Sequence, residues 1–60
     1  MCELKVVVNG KKVFENAIYA KTNDNNVVVK DIMGQTKDFK NHRILEVNIA
    51  SEQLTLSPIK

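Results

Sequence analysis

The stretch Leu4-Lys5-Val6-Val7-Val8-Asn9-Gly10-Lys11-Lys12-Val13-Phe14-Glu15 decides the fold class. Cys2, Leu4, Val6 and Val8 fall on one face of an extended segment, and Glu3, Lys5 and Asn9 fall on the other, with Val7 out of phase. That period of two marks a half-buried strand. Asn9 and Gly10 both tolerate positive φ, so the pair suits a two-residue type I′ hairpin turn. The chain is expected to reverse with Val8 opposite Lys11, Val6 opposite Val13 and Leu4 opposite Glu15. Val13 and Phe14 point to opposite faces, which leaves room for a bulge that shifts this register.

The same grammar continues outward. Ile18 and Tyr19 lie in a segment that ends at the turn-rich Asn23-Asn26 stretch, and Val27-Val28-Val29 then starts a strand expected to reach Ile32. Met33-Gly34-Gln35 breaks that strand, with Gly34 supplying the bend. A short segment from Thr36 to Phe39 precedes Asn41-His42. Leu45, Val47 and Ile49 then alternate with Glu46 and Asn48. Leu54 and Leu56 point inward around Thr55, and Pro58, which has no N–H to donate, ends the pairing. No stretch of ten residues has helical periodicity. The expectation is an all-β protein: one β-barrel domain over residues 1–60, a small antiparallel SH3-like barrel or curled sheet of five to seven short strands. A barrel this small can leave an edge strand open to a second copy of itself.

Composition narrows the function classes. Sixty residues, 43% apolar and 27% charged, describe a globular chain with a thin core. A single cysteine cannot form an internal disulfide, so a metal or a partner subunit is the remaining aid to stability. The longest apolar run, Ala17 to Ala20, is far short of the ~20 residues of a membrane span, and no signal-peptide pattern is present. The expectation is a cytoplasmic protein without a membrane partner, its thiol kept reduced. One cysteine and one histidine, with no phosphate loop or nucleophile motif, point away from an enzyme.

Three site readings remain. Cys2 adjoins the chain terminus, and loss of Met1 would expose an amine and a thiolate that close a five-membered ring on one ion. With Met1 retained, its amine, the Cys2 amide nitrogen and the Cys2 sulfur form two fused rings. Two such termini at a two-fold axis offer nitrogen and sulfur donors in a plane, which suits Ni(II) over Cu(II), because copper oxidises thiolates. Against this, Cys2 is in phase with Leu4, Val6 and Val8, as a small core hydrophobe would be. His42 offers a second reading, two cysteines and two histidines of a dimer around zinc, although its place between Asn41 and Arg43 reads as an exposed turn. Met33 can serve as a thioether ligand or, more simply, fill a gap in the core. The third reading is a small basic barrel that binds RNA, but Phe14, Tyr19 and Phe39 are the only aromatics and no basic cluster brackets them. The net charge of +2 speaks only weakly for a nucleic-acid partner.

The residues Met1-Cys2, the Val-rich first strand, Val27-Val28-Val29-Lys30-Asp31-Ile32-Met33-Gly34, Ile44-Leu45-Glu46-Val47-Asn48 and Leu54-Thr55-Leu56 together resemble the CooT-like family of small nickel-binding proteins. The resemblance spans the chain and rests most specifically on its length, Met1-Cys2 and the Asp31-x-x-Gly34 turn. It implies a cytoplasmic homodimer with a small β-barrel fold that holds Ni(II) through the cysteine after the start methionine, a role that falls on Cys2 with Met1 beside it. It further implies a metallochaperone-like carrier, store or delivery factor with an unidentified partner in nickel-enzyme maturation. Some similar proteins have also been labelled RNA-binding on sequence grounds. Glu15-Asn16-Ala17-Ile18 departs from the acidic-apolar step that many relatives place after the second strand.

Overall fold

The computed structural model describes residues 3–59. Six strands follow one another: β1 (Leu4–Val8), β2 (Lys11–Asn23), β3 (Asn26–Asp31), β4 (Thr36–Lys40), β5 (His42–Asn48) and β6 (Gln53–Pro58), with no helix among the described residues. They form one sheet in the order β4-β3-β2-β1-β6-β5. Four of the neighbouring pairs are antiparallel, as the hairpin signals imply, while β1 and β6 run parallel. The fold is therefore an unclosed, curled mixed sheet of the expected all-β class.

The curl follows from one residue. β4 and β5 are the two edges of the sheet, yet only Asn41 lies between them in the chain. The edges must meet at that corner. Asn41 takes φ 60, a left-handed conformation that asparagine tolerates, and the chain turns sharply there. The corner is tied by two hydrogen bonds: His42 N donates to Asn25 O at 3.0 Å, and Ile59 N donates to Asn41 O at 2.8 Å.

Val6, Ala17, Val27, Val29, Phe39, Leu54 and Leu56 are buried inside the curl, with Leu4, Val8, Phe14 and Ile44 packed against them. Valines and leucines at alternate positions supply this core because every second side chain of a strand faces inward. Asn9 and Gly10 take φ 52 and 79, the two positive values a type I′ turn needs, and Val8 pairs with Lys11 as expected. Gly34 has φ 87 and provides the expected bend.

The register corrects several expectations. Val6 pairs with Phe14 rather than Val13, and Leu4 with Ala17 rather than Glu15, because β2 carries extra residues relative to β1. β2 runs unbroken through Asn16, whose φ of 61 accommodates one of these irregularities. Further shifts fall between Ala17 and Tyr19 and between Ile44 and Glu46. Val13, Ile18 and Leu45 are the surplus residues, and they are exposed at 37%, 50% and 56%. These three bulges each leave exposed an apolar side chain that composition alone would count as core. β3 stops at Asp31, and Ile32 lies outside it, exposed.

Candidate metal centre

The expected ligands, Met1 and Cys2, lie outside the described residues. What is described is the root from which they extend. β1 begins at Leu4, which pairs with Ala17 of β2, while Lys5 pairs with Gln53 of β6 and its N–H donates to Glu52 O at 2.8 Å. The strand is thus held on both sides from its first residues. Cys2 is two residues from Leu4, so at full extension it reaches no more than ~7 Å from that anchored position.

Leu4 also lines an opening in the curl. Ala17–Ala20 of β2, Ile44 and Val47 of β5 and Leu54 of β6 complete the lining of an apolar cavity of about 210 Å³. It lies between β2 and the edge strand β5, which are not paired in the sheet. Val47 pairs with Leu54 and so shares its inward face, yet Val47 is 54% exposed because no strand covers it. Ile18, Tyr19, Leu45 and Ile49 are exposed as well. Leu4, the first residue of β1, therefore stands at the rim of an uncovered apolar mouth.

His42 is not the exposed turn residue its neighbours imply. It is the first residue of β5 and half-buried; its ring packs edge-on against Phe39 with centroids 5.9 Å apart. Its Nδ1 lies 2.8 Å from Lys40 O, and because a carbonyl only accepts, Nδ1 is the donor. His42 pairs with Pro58 at the far end of β6, whereas Lys5 pairs with Gln53 at the near end. At ~3.3 Å per residue the six-residue β6 separates these rows by roughly 16 Å. Within one chain the root of Cys2 and His42 thus stand at opposite ends of the sheet.

Met33 does not fill the core. It is 80% exposed at the tip of the β3–β4 connection. The Asp31-x-x-Gly34 turn is built as the sequence implies: Asp31 Oδ1 accepts from Met33 N and Gln35 N, each at 2.9 Å, and Gly34 N donates to Asp31 O at 3.0 Å. Oδ1 of that carboxylate is thus engaged by two backbone amides. Among the described residues no group of three or more His, Cys, Asp or Glu comes together to hold a metal ion.

The aromatic rings offer little to a nucleic acid. Phe39 is buried and Phe14 packs against the core, so neither presents a face on which a base can stack. Tyr19 is exposed, with Lys30 Nζ 5.3 Å from its ring centroid. Lys37 Nζ lies 5.6 Å from the Phe39 centroid. Lys12 Nζ donates to Glu15 Oε1 at 2.7 Å, which spends one cation of the hairpin on a neighbour. No helix among the described residues is long and apolar enough to cross a membrane.

The donor chemistry of the terminus fits nickel. A thiolate and an amine or amide nitrogen from one residue or two adjacent ones are nitrogen and sulfur ligands of the type that holds Ni(II) in a plane. Sequence reasoning named these donors but missed the mouth at the start of β1, whose sequence signal is the unspent apolar surplus at Ile18 and Val47. Comparison with curated proteins gives no match. A family model described as CO dehydrogenase accessory protein CooT matches residues 1–57, a span that includes Cys2, and the chain belongs to the CooT family.

Proposed function

We propose that this protein is a non-catalytic nickel-binding accessory factor that carries, stores or delivers Ni(II), with Cys2 of two chains holding one ion at a homodimer interface. The observation that carries the reading is the anchoring of β1 at the rim of the apolar mouth. Two copies that cover their mouths against each other bring both anchored termini to one seam. The ion then receives a thiolate from each chain together with the adjacent nitrogen. The terminal amine of Met1, or of Cys2 after Met1 is removed, belongs to this donor set. Because the thiols lose protons on binding, affinity falls as pH falls.

A site at the outer end of a strand suits transfer, since a receiving protein reaches the metal without unfolding the sheet. The family description of an accessory to CO dehydrogenase supports a nickel enzyme under maturation as the recipient. Ni(II) titration of the purified protein, with native mass spectrometry, tests the reading. The expected result is thiolate charge-transfer absorption that saturates at one metal per two chains and disappears in Cys2→Ser. Equal nickel binding by the Cys2→Ser protein would overturn it.

A further inference from the structure

The turn that starts the sheet carries chemistry that the metal reading does not use. Asn9-Gly10 joins a side-chain amide to a backbone nitrogen whose own residue has no side chain, and both residues are exposed outside the strands. A Cβ built on Gly10 would meet nothing within 4 Å, so the space around that nitrogen is open. No other asparagine is followed by a glycine: Asn23 precedes Asp24 and Asn25 precedes Asn26, whose side chains crowd the attacking nitrogen, and the remaining four are better protected. In the Asn41-His42 step the nitrogen that would attack, His42 N, donates to Asn25 O at 3.0 Å. Asn16 is followed by the buried Ala17, and Asn26 by the buried, β-branched Val27. Asn48 has its side-chain oxygen engaged by Ser51 N at 3.1 Å.

We propose that Asn9 is a site of spontaneous deamidation and isoaspartate formation. The Gly10 backbone nitrogen attacks Asn9 Cγ; a Cγ–N bond forms, the Cγ–Nδ2 bond breaks, and Nδ2 leaves as ammonia with the proton from Gly10 N. Water then opens the five-membered imide at either carbonyl, leaving aspartate or isoaspartate. No electrons are transferred. Isoaspartate lengthens the main chain by one methylene, and the two-residue type I′ geometry, with φ 52 and 79, no longer fits. The pairs Val8 to Lys11 and Val7 to Lys12 fray, while the parallel ladder to β6 continues to hold β1. The new carboxylate lies next to Lys11 and Lys12.

The folded protein is incubated at mildly alkaline pH and sampled by peptide mass mapping, ammonia assay and isoaspartyl methyltransferase labelling. The expected result is conversion at Asn9 ahead of every other asparagine, with both acids formed there. Gly10→Ala slows conversion several-fold but places an alanine at φ 79, so Asn9→Gly serves as the second variant. It keeps the turn and loses the early ammonia and the methyl-acceptor signal. The proposal is overturned by earlier conversion elsewhere, by an unchanged early ammonia release from Asn9→Gly, or by an intact Asn9 after the urea-unfolded chain has converted at that residue.

Discussion

Val6 and Leu54 face each other across the parallel β1–β6 ladder, and both are sealed from solvent at 0% and 1% exposure. This contact joins the beginning of the chain to its end. β1 is held in the middle of the sheet by β2 on one side and β6 on the other, so the segment that leads to Cys2 depends on a strand about fifty residues away. Replacing Leu54 by alanine removes the largest single piece of that contact. The expected cost is about 3 kcal/mol, from lost transfer free energy and the cavity left behind. A chain of this length has only ~3–9 kcal/mol in total. Urea unfolding at fixed protein concentration checks this, and a loss below about 1 kcal/mol would mean that the site collapses around the smaller side chain.

Asp31 holds the β3–β4 connection by accepting from Met33 N and Gln35 N. Asp31→Ala leaves those two amides to water. A loss of about 1 kcal/mol is expected, because both bonds are near the surface and water compensates part of each. Amide exchange at Met33 and Gln35 should accelerate well beyond the change at Val27 and Val29, which stay in the ladder. Equal acceleration throughout would show that the turn is not a local unit.

Much of this architecture is legible in the residues, and what is not has a physical reason. β1, its Asn9-Gly10 turn, the valines of β3 and the Leu54, Leu56 pair all follow from local rules: alternation, β-branching and positive-φ turn residues. The Val13-Phe14 step leaves room for the bulge found there, but those at Ile18 and Leu45 are not legible, because which residue is surplus depends on where the partner strand sets its register. The parallel pairing of Val6 with Leu54 is equally silent, since it joins distant segments. His42 reads as loop because polar neighbours flank it, whereas a one-residue corner at Asn41 lets β5 begin at once. At the site, the chemistry of Cys2 allows several roles, and the proposed one is what the resemblance to the family implies. The mouth emerges only when Val47, inward by alternation, finds no strand to cover it.

Glu15 gives a test by titration. The hydrogen bond from Lys12, and then its charge, lower the Glu15 pKa from the ordinary 4.5. A carboxylate depressed in the folded state stabilises it above the unfolded pKa, and that contribution is lost as pH falls through the lowered folded value. Both side chains are more than half exposed, so solvent screens the pair and the effect on stability at neutral pH is small. In an NMR titration, Lys12→Met should move the Glu15 midpoint up towards 4.5, and added salt should move the unaltered protein in the same direction. A midpoint that responds to neither would mean that the pair does not persist in solution.

Val47 tests the proposed dimer without touching the terminus. Its side chain faces the cavity with Leu54 but is 54% exposed, so it contributes little to the core of a single chain. An aspartate there is tolerated by a monomer, where water reaches it, and is costly against a second apolar mouth, where it does not. Val47→Asp is therefore expected to weaken dimerisation tenfold or more, about 1.4 kcal/mol, in sedimentation measured over a dilution series. The far-UV spectrum should remain that of a β protein. Nickel stoichiometry should move away from one per two chains at protein concentrations where the variant is monomeric, because one terminus supplies only half the donors. A variant that dimerises with an unchanged constant would place the contact on another face, and the Cys2→Ser titration then separates an error about the interface from an error about the metal.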